Sequence, residues 1–488
     1  MQLIECRKLK KYYGERQIIE IDDLKIYQED RIGIVGANGA GKTTLINLLS
    51  QHIQPDEGTI KVKGNIGYIS QLQDPEEKYI SYEMASKFKV DPNWSPSMSG
   101  GEKTRFKVAA AFDDRNAIIF ADEPTSNLDV DSIELMEAFL LRYQGALVII
   151  SHDRSLLNRI CNQIIEVENG KIKSYKGNYT DYKEQKNQER NFAYREYKAY
   201  VDEKKRLESV MKQKKKASQK IKRTPKRMGN SEARLHKMGG QKAKANLDNA
   251  VKSVRSRVEH LEIKEKPEED KKIQLDILPA SQIHSKFLVE GNNINKSFDN
   301  KTIFKDANFK IENGAKIALV GPNGSGKSTL INMILDNAPG IKKAPSAKIG
   351  YFNQELNILD SNLTILDNVM QSSIYSETIA RLLLARLLFR GEKVYKPVSV
   401  LSGGELVKVS FAKILLEDFN MLILDEPTNY LDISSLEVIE EALKDYDRTL
   451  LFVSHDRQFV ESVANQIMMI QDHELVIARF QPVKFDNH

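Results

Sequence analysis

One set of short motifs occurs twice in this chain, in the same order and at the same spacing, so the fold must contain one unit duplicated. The first set is Gly36-Ala-Asn38-Gly39-Ala-Gly41-Lys42-Thr43-Thr44, then Ser99-Gly100-Gly101-Glu102, Asp122-Glu123 and His152. The second is Gly321-Pro-Asn323-Gly324-Ser-Gly326-Lys327-Ser328-Thr329, then Ser402-Gly403-Gly404-Glu405, Asp425-Glu426 and His455. In both sets the serine stands 24 residues before the glutamate and the histidine 29 residues after it. A lone glycine-rich turn is a weak signal, but a repeated spacing across four motifs is not.

Apolar runs precede each motif. Residues 31–35 and 316–320 read as buried strands entering the glycine turns, and residues 44–49 and 329–335 read as the helices leaving them, the context in which such a turn cradles phosphate. Residues 117–120 and 421–424 lead into the paired acids, and residues 146–150 and 449–453 lead into the histidines. These predict further buried strands, and hence two α/β units with helices on both faces of their sheets. A length of 488 residues suits two or three domains. The expected divisions are 1–182, 183–272 and 273–488.

Between the units the chain changes character. Residues 201–250 carry sixteen Lys or Arg against five Asp or Glu, a balance of +11 in a chain whose net charge is +5. Helix formers dominate residues 183–272. Leu247, Val251, Val254, Val258 and Leu261 recur at steps of four and three, which predicts a helical seam. Its expected partner is the stripe of Tyr194, Tyr197, Val201, Leu207, Val210 and Met211. Pro225 and Gly229 break the pattern, and Ser231 is placed to cap the second helix. The reading is an antiparallel hairpin, ~35–40 residues and about 50–60 Å per helix, with a basic tip over residues 212–230. Lys212, Lys214, Lys215, Lys216, Lys220, Lys222, Arg223, Lys226 and Arg227 are the candidate RNA-binding residues there.

The two cysteines, Cys6 and Cys161, are too few for a disulfide framework or a metal cluster. No run reaches the ~18 apolar residues of a membrane helix. A cytoplasmic protein is expected.

The phosphate chemistry follows from the motifs. Backbone N–H groups of the glycine turns wrap phosphates, Lys42 or Lys327 neutralises their charge, and Thr43 or Ser328 offers a hydroxyl to magnesium. Asp122 and Asp425, ending their strands, complete the magnesium shell, and Glu123 and Glu426 are placed to polarise an attacking water.

With these motifs the chain resembles the ATP-binding cassette (ABC) family over both halves. The resemblance implies an ATPase using ATP and Mg2+, with Glu123 and Glu426 as catalytic bases and His152 and His455 as γ-phosphate contacts. It makes Gln71 and Gln354 metal and nucleotide contacts, and Tyr13 and Phe298 adenine-stacking rings. It also implies two sandwiched sites, in which residues 36–44 meet Ser402–Glu405 and residues 321–329 meet Ser99–Glu102, within one monomer.

The tandem cassettes, the run Asp425-Glu-Pro-Thr-Asn-Tyr-Leu-Asp432 and the run Tyr175-Lys-Gly-Asn-Tyr-Thr-Asp-Tyr182 are similar to the ABC-F proteins. That resemblance implies 70S ribosome binding at the E site, contact with large-subunit rRNA and P-site tRNA through the linker, and no membrane partner. Only 28 residues separate Gln71 from Ser99, against 48 from Gln354 to Ser402, so the arm that housekeeping members often insert there is missing. With Arg227-Met-Gly-Asn-Ser-Glu-Ala-Arg-Leu-His-Lys237, this resembles the antibiotic-resistance branch of the Vga and Vml type, implying ribosome protection against lincosamides, streptogramin A and pleuromutilins. The alternatives are a housekeeping translation factor that relieves stalled elongation and the ATPase subunit of a transporter. Ser126 and Met98 depart from the family pattern, which commonly has Asn and Leu there, and could make the two sites unequal in rate.

Overall fold

The computed structural model describes residues 1–71, 73–75, 77–113, 116–126, 128–221, 230–266, 285–298, 301–353, 358–428 and 431–480, with backbone only at 230–241 and 301. It divides into two units. Residues 1–182 and 272–488 form one, containing both motif sets, and residues 183–271 form the other.

In the first half, five parallel strands lie in the order Ile66–Ile69, Ile118–Asp122, Ala146–Ile150, Arg31–Val35, Gln163–Glu168. Lys171–Lys176 adds antiparallel, and Arg16–Tyr27, Gln2–Tyr13 and Glu57–Val62 complete nine strands. The second half repeats the order with Ile349–Phe352, Met421–Asp425, Thr449–Val453, Lys316–Val320, Gln466–Gln471 and Glu474–Arg479. There Lys301–Glu312, Phe287–Phe298 and Ile341–Lys343 form a separate three-stranded antiparallel sheet.

The central strands are apolar throughout because both of their faces are covered. Ile118, Phe120, Val148 and Ile150 enter one core, whereas Ile119, Ala121, Leu147 and Ile149 enter the other. Strand bounds agree with the apolar runs to within two residues, and the turn helices begin at the lysines, over Lys42–Leu49 and Lys327–Leu335. Both cysteines are buried, which pushes each thiol up to about 12.

Register brings the motifs together. Ile34 pairs with Ile150, and Asp122 pairs with Ile150 from the other side. The glycine turn, the acid pair and the histidine therefore leave the carboxyl ends of three adjacent parallel strands, where open α/β sheets bind ligands.

In the second unit a 42-residue helix, Tyr179–Lys220, precedes a 30-residue helix, Asn230–Glu259. Leu207 and Val254 are buried, and Ser218 donates a 2.6 Å hydrogen bond to Asp248 across the hairpin. Three expectations need correction. The second helix begins at Asn230, ahead of Ser231, and ends before Leu261. It is thus shorter than expected, since four-three spacing alone does not require helical backbone at its last member. Tyr194 points outward while Ala193 and Tyr197 sit half-buried, so the stripe runs one position off at that end. Lys222, Arg223, Lys226 and Arg227 lie outside the described residues.

The root of the long helix is built into the first unit. Tyr182 donates to Glu166 at 2.7 Å, and Tyr175, Tyr179, Tyr182 and Cys161 form a core with Ile433 from the second half.

Candidate nucleotide-binding site

Both glycine turns adopt one geometry. Gly39 and Gly41 have φ of 75° and 103°, and Gly324 and Gly326 have 74° and 111°, left-handed values that favour glycine. The turns end on helices with no side-chain cap, leaving the first backbone N–H groups facing the loop. Lys42 donates to the carbonyls of Gly36 and Ala37 at 2.8 and 3.2 Å, and Lys327 to those of Gly321 and Pro322 at 2.8 and 3.1 Å. Each ammonium is held over its own loop. Thr43 hydrogen-bonds Asp122, and Ser328 hydrogen-bonds Asp425.

Glu123 and Glu426 have φ of 50° and 51°. A non-glycine residue in that region is uncommon, and here it occurs at the same place twice. The backbone holds it there: Glu123 N–H donates to the Ile150 carbonyl at 2.9 Å, and Glu426 N–H to Val453 at 3.0 Å. The turn points both carboxylates at the histidines, with Nε2 of His152 3.2 Å from Oε1 of Glu123 and Nε2 of His455 3.1 Å from Oε1 of Glu426. Burial, and then the Asp122 charge, push the Glu123 carboxyl up to about 8, within reach of neutral pH for proton exchange. Burial, and then Lys42, hold the His152 imidazole down to about 3, so it is neutral.

Ser99 and Ser402 begin the helices Gly100–Asp113 and Gly403–Leu416, and each exchanges hydrogen bonds with the glutamate three residues on. The repeated Ser-Gly-Gly-Glu is thus a capping box that exposes its serine and first glycine.

The halves meet head to tail at both turns. Asn38 N–H donates to Asp432 of the second half at 3.2 Å, and Asn323 N–H to Asp129 of the first at 3.5 Å. Each aspartate also caps the helix that follows it, by accepting from Ser435 or Ser132. Asp432 is held by Lys408, 2.8 Å away, in the second turn of the helix that Ser402 starts. Burial would raise the Asp432 carboxyl, but the Lys408 ammonium, the Ser434 hydroxyl and the Ser435 N–H hold it well below the usual carboxylate range.

A family model described as ABC transporter matches residues 19–126 and 304–429, and an extension model with the same description matches residues 165–241. The chain is 34% identical to the erythromycin resistance ATP-binding protein MsrA of Staphylococcus epidermidis, over 92% of this chain and 93% of that protein. It is 32% identical to the ribosome protection protein VmlR of Bacillus subtilis strain 168, over 92% of this chain and 83% of that protein. The chain belongs to the ABC-F family. Its tandem cassettes are ATP-hydrolysing domains. The fold is similar to that of an archaeal ribosome recycling factor solved with a ribosomal stalk protein, with a TM-score of 0.62 at 20% identity over 95% of this chain and 87% of that one.

In this ABC-F ATPase, Tyr13 and Phe298 sit at the ends of their strands with 55% and 52% of their surfaces exposed, and the Lys296 ammonium lies 4.8 Å from the centre of the Phe298 ring. Gln71 is exposed just past its strand, its carbonyl 3.5 Å from the Lys107 ammonium. Gln354 lies outside the described residues. Among the described residues no group of three or more His, Cys, Asp or Glu is arranged to hold a metal ion by itself, and no helix is long and apolar enough to cross a membrane.

Sequence reasoning missed Asp129, Asp432 and Lys408. The signal was available: both aspartates stand six residues after their glutamates. Their role became visible only when the copies were brought face to face.

The two turns differ in one respect that can be tested. A Cβ at Gly36 would come 2.4 Å from the Val167 carbonyl oxygen, whereas one at Gly321 would meet only the Ser325 hydroxyl, at 2.9 Å. Backbone cannot yield as a serine rotamer can. Gly36→Ala is therefore expected to destabilise by about 1–3 kcal/mol and Gly321→Ala by less, as read from paired denaturant titrations.

Proposed function

We propose that this ATPase binds the 70S ribosome with ATP, enters the E site, and uses its linker to act on P-site tRNA and the peptidyl-transferase centre. Antibiotic resistance by ribosome protection is the outcome. The observation that carries this reading is the basic hairpin: Lys212, Lys215, Lys216 and Lys220 are exposed at the far end of the first linker helix, with Lys214 half-buried beside them. Phosphate-rich RNA is the partner such a surface fits. The printed names of VmlR and MsrA support the ribosome and resistance parts. Lincosamides, streptogramin A and pleuromutilins are the proposed drug classes, and the MsrA name adds erythromycin as a candidate.

In each site the turn amides, Lys42 or Lys327, and the facing Asn38–Asp432 or Asn323–Asp129 contact position the phosphates. Glu123 and Glu426 accept a proton from the attacking water, and His152 and His455 orient those carboxylates. Thr43 with Asp122, and Ser328 with Asp425, already adjoin through hydrogen bonds. They form the hard oxygen set magnesium takes, and the ion would neutralise phosphate charge there.

Replacing Lys212, Lys214, Lys215, Lys216 and Lys220 with glutamine is expected to abolish resistance in cells while leaving ATP turnover of the free protein within about twofold, because none of these lysines belongs to either nucleotide site. Unchanged resistance would sink the linker assignment. Unchanged drug susceptibility on deletion of the whole protein would favour the housekeeping reading.

A further inference from the structure

Two arginines cross between the halves, each two residues after a site histidine. Arg154 follows His152 and makes a two-pronged contact with Glu440, including one hydrogen bond of 3.1 Å, and lies 3.8 Å from Asp456. Arg457 follows His455 and reaches Glu134 at 3.0 Å and Glu137 at 3.9 Å. Glu440 lies on the helix Ile433–Asp445, which begins at Asp432, and Glu134 and Glu137 lie on Val130–Arg142, which begins at Asp129. Each arginine therefore ties the histidine of one half to the helix whose capping aspartate meets that same half's glycine turn.

The two ties are unequal. The Arg154 and Glu440 side chains are 3% and 8% exposed, whereas Arg457 and Glu134 are 28% and 61% exposed. One neighbouring residue distinguishes them. Glu137 is already bound by Arg159 from its own half, and the position equivalent to Arg159 in the second half is Ser462. Both oxygens of Glu440 bind Arg154, whereas Arg159 and Arg457 approach one and the same oxygen of Glu137, Oε2, which Arg159 holds and Arg457 comes no nearer than 3.9 Å.

We infer that Arg154 and Glu440 are positioning residues for hydrolysis at the first site, holding His152 and Asp432 closed about one nucleotide, and that the second site is held less firmly. The inference deepens the reading of Glu123 and Glu426 as the glutamates of two separate sites. Bidentate contact in a dry interface fixes both partners geometrically, and a displacement of about 1 Å near reacting groups can cost up to ~10²-fold in rate.

The test isolates each site. In full-length Glu426→Gln protein, where the first site alone turns over, Arg154→Ala is expected to lower kcat about tenfold with KM changed less than about threefold. Arg154→Lys should lose most of that rate too, since an ammonium cannot make the forked contact, and Arg154→Glu with Glu440→Arg should recover part of it. In Glu123→Gln protein, where the second site alone turns over, Arg154→Ala should lower kcat clearly less than in the first background, because Arg154 only approaches Asp456 of that half, at 3.8 Å, and makes no forked contact there. Circular-dichroism melts of every variant identify any that fail to fold, and Arg154→Lys, which keeps the charge, then carries the comparison. An equal loss in both backgrounds, or none in the first, overturns the inference. If Glu123→Gln and Glu426→Gln each leave full turnover without any arginine change, the glutamate assignment fails instead.

Discussion

Glu123→Gln together with Glu426→Gln lowers ATP turnover by about 10²–10⁴-fold, the range a general base supplies, while ATP binding persists. Glutamine has the shape of glutamate, so the backbone hydrogen bonds to Ile150 and Val453 and the left-handed φ at both positions survive. What is lost is the proton acceptor beside His152 and His455. Because binding is retained and release is not, the double variant should hold its halves together in ATP. Phosphate release at steady state and filter binding of nucleotide check the two halves of this expectation. Turnover within about threefold of the unaltered protein would place the base elsewhere.

The second large effect concerns stability. Lys408→Met leaves the Asp432 carboxylate buried without its ammonium, a loss that typically costs about 3–5 kcal/mol. Turnover at the first site should fall as well, because Asp432 then loses the support that aims it at Asn38. Lys408→Met with Asp432→Asn should regain most of the stability, since replacing both charges removes the uncompensated one, but not the turnover. The first-half counterpart, Arg105, reaches only the Ser132 hydroxyl at 3.5 Å, so Arg105→Met should cost less. Acid should act in the same direction as Lys408→Met. The folded Asp432 carboxyl lies below its unfolded value, so its contribution is present above pH about 4 and fades as pH falls through that range. Thermal melts of the four proteins between acid and neutral pH decide this; equal melting temperatures would remove Asp432 from the account.

The cassettes were legible in the sequence because a parallel strand buried on both faces is written as an uninterrupted apolar run. Residues 146–150 and 449–453 match observed strands end to end. Glycine turns are equally readable, since their backbone geometry excludes other residues. Asp129 and Asp432 were not legible: each reads as an ordinary helix cap within its own half, and its second role depends on a partner some 190 or more residues away in sequence. The Arg154 pair escaped notice for the same reason, because Glu440 stands 286 residues away in sequence. Tyr194 was misplaced because a helical stripe rich in tyrosine can be drawn through adjacent positions equally well, and only packing against the second helix chooses between them.

Co-sedimentation of the Glu123→Gln/Glu426→Gln protein with purified 70S ribosomes tests the proposed function most directly. The protein is expected to pellet with ribosomes in ATP and to stay in the supernatant without it. Cutting residues 212–230 is expected to abolish the drug resistance of cells expressing the otherwise unaltered chain. A protein that binds and retains ATP yet never pellets with ribosomes would contradict the proposed function and return the transporter ATPase to the front.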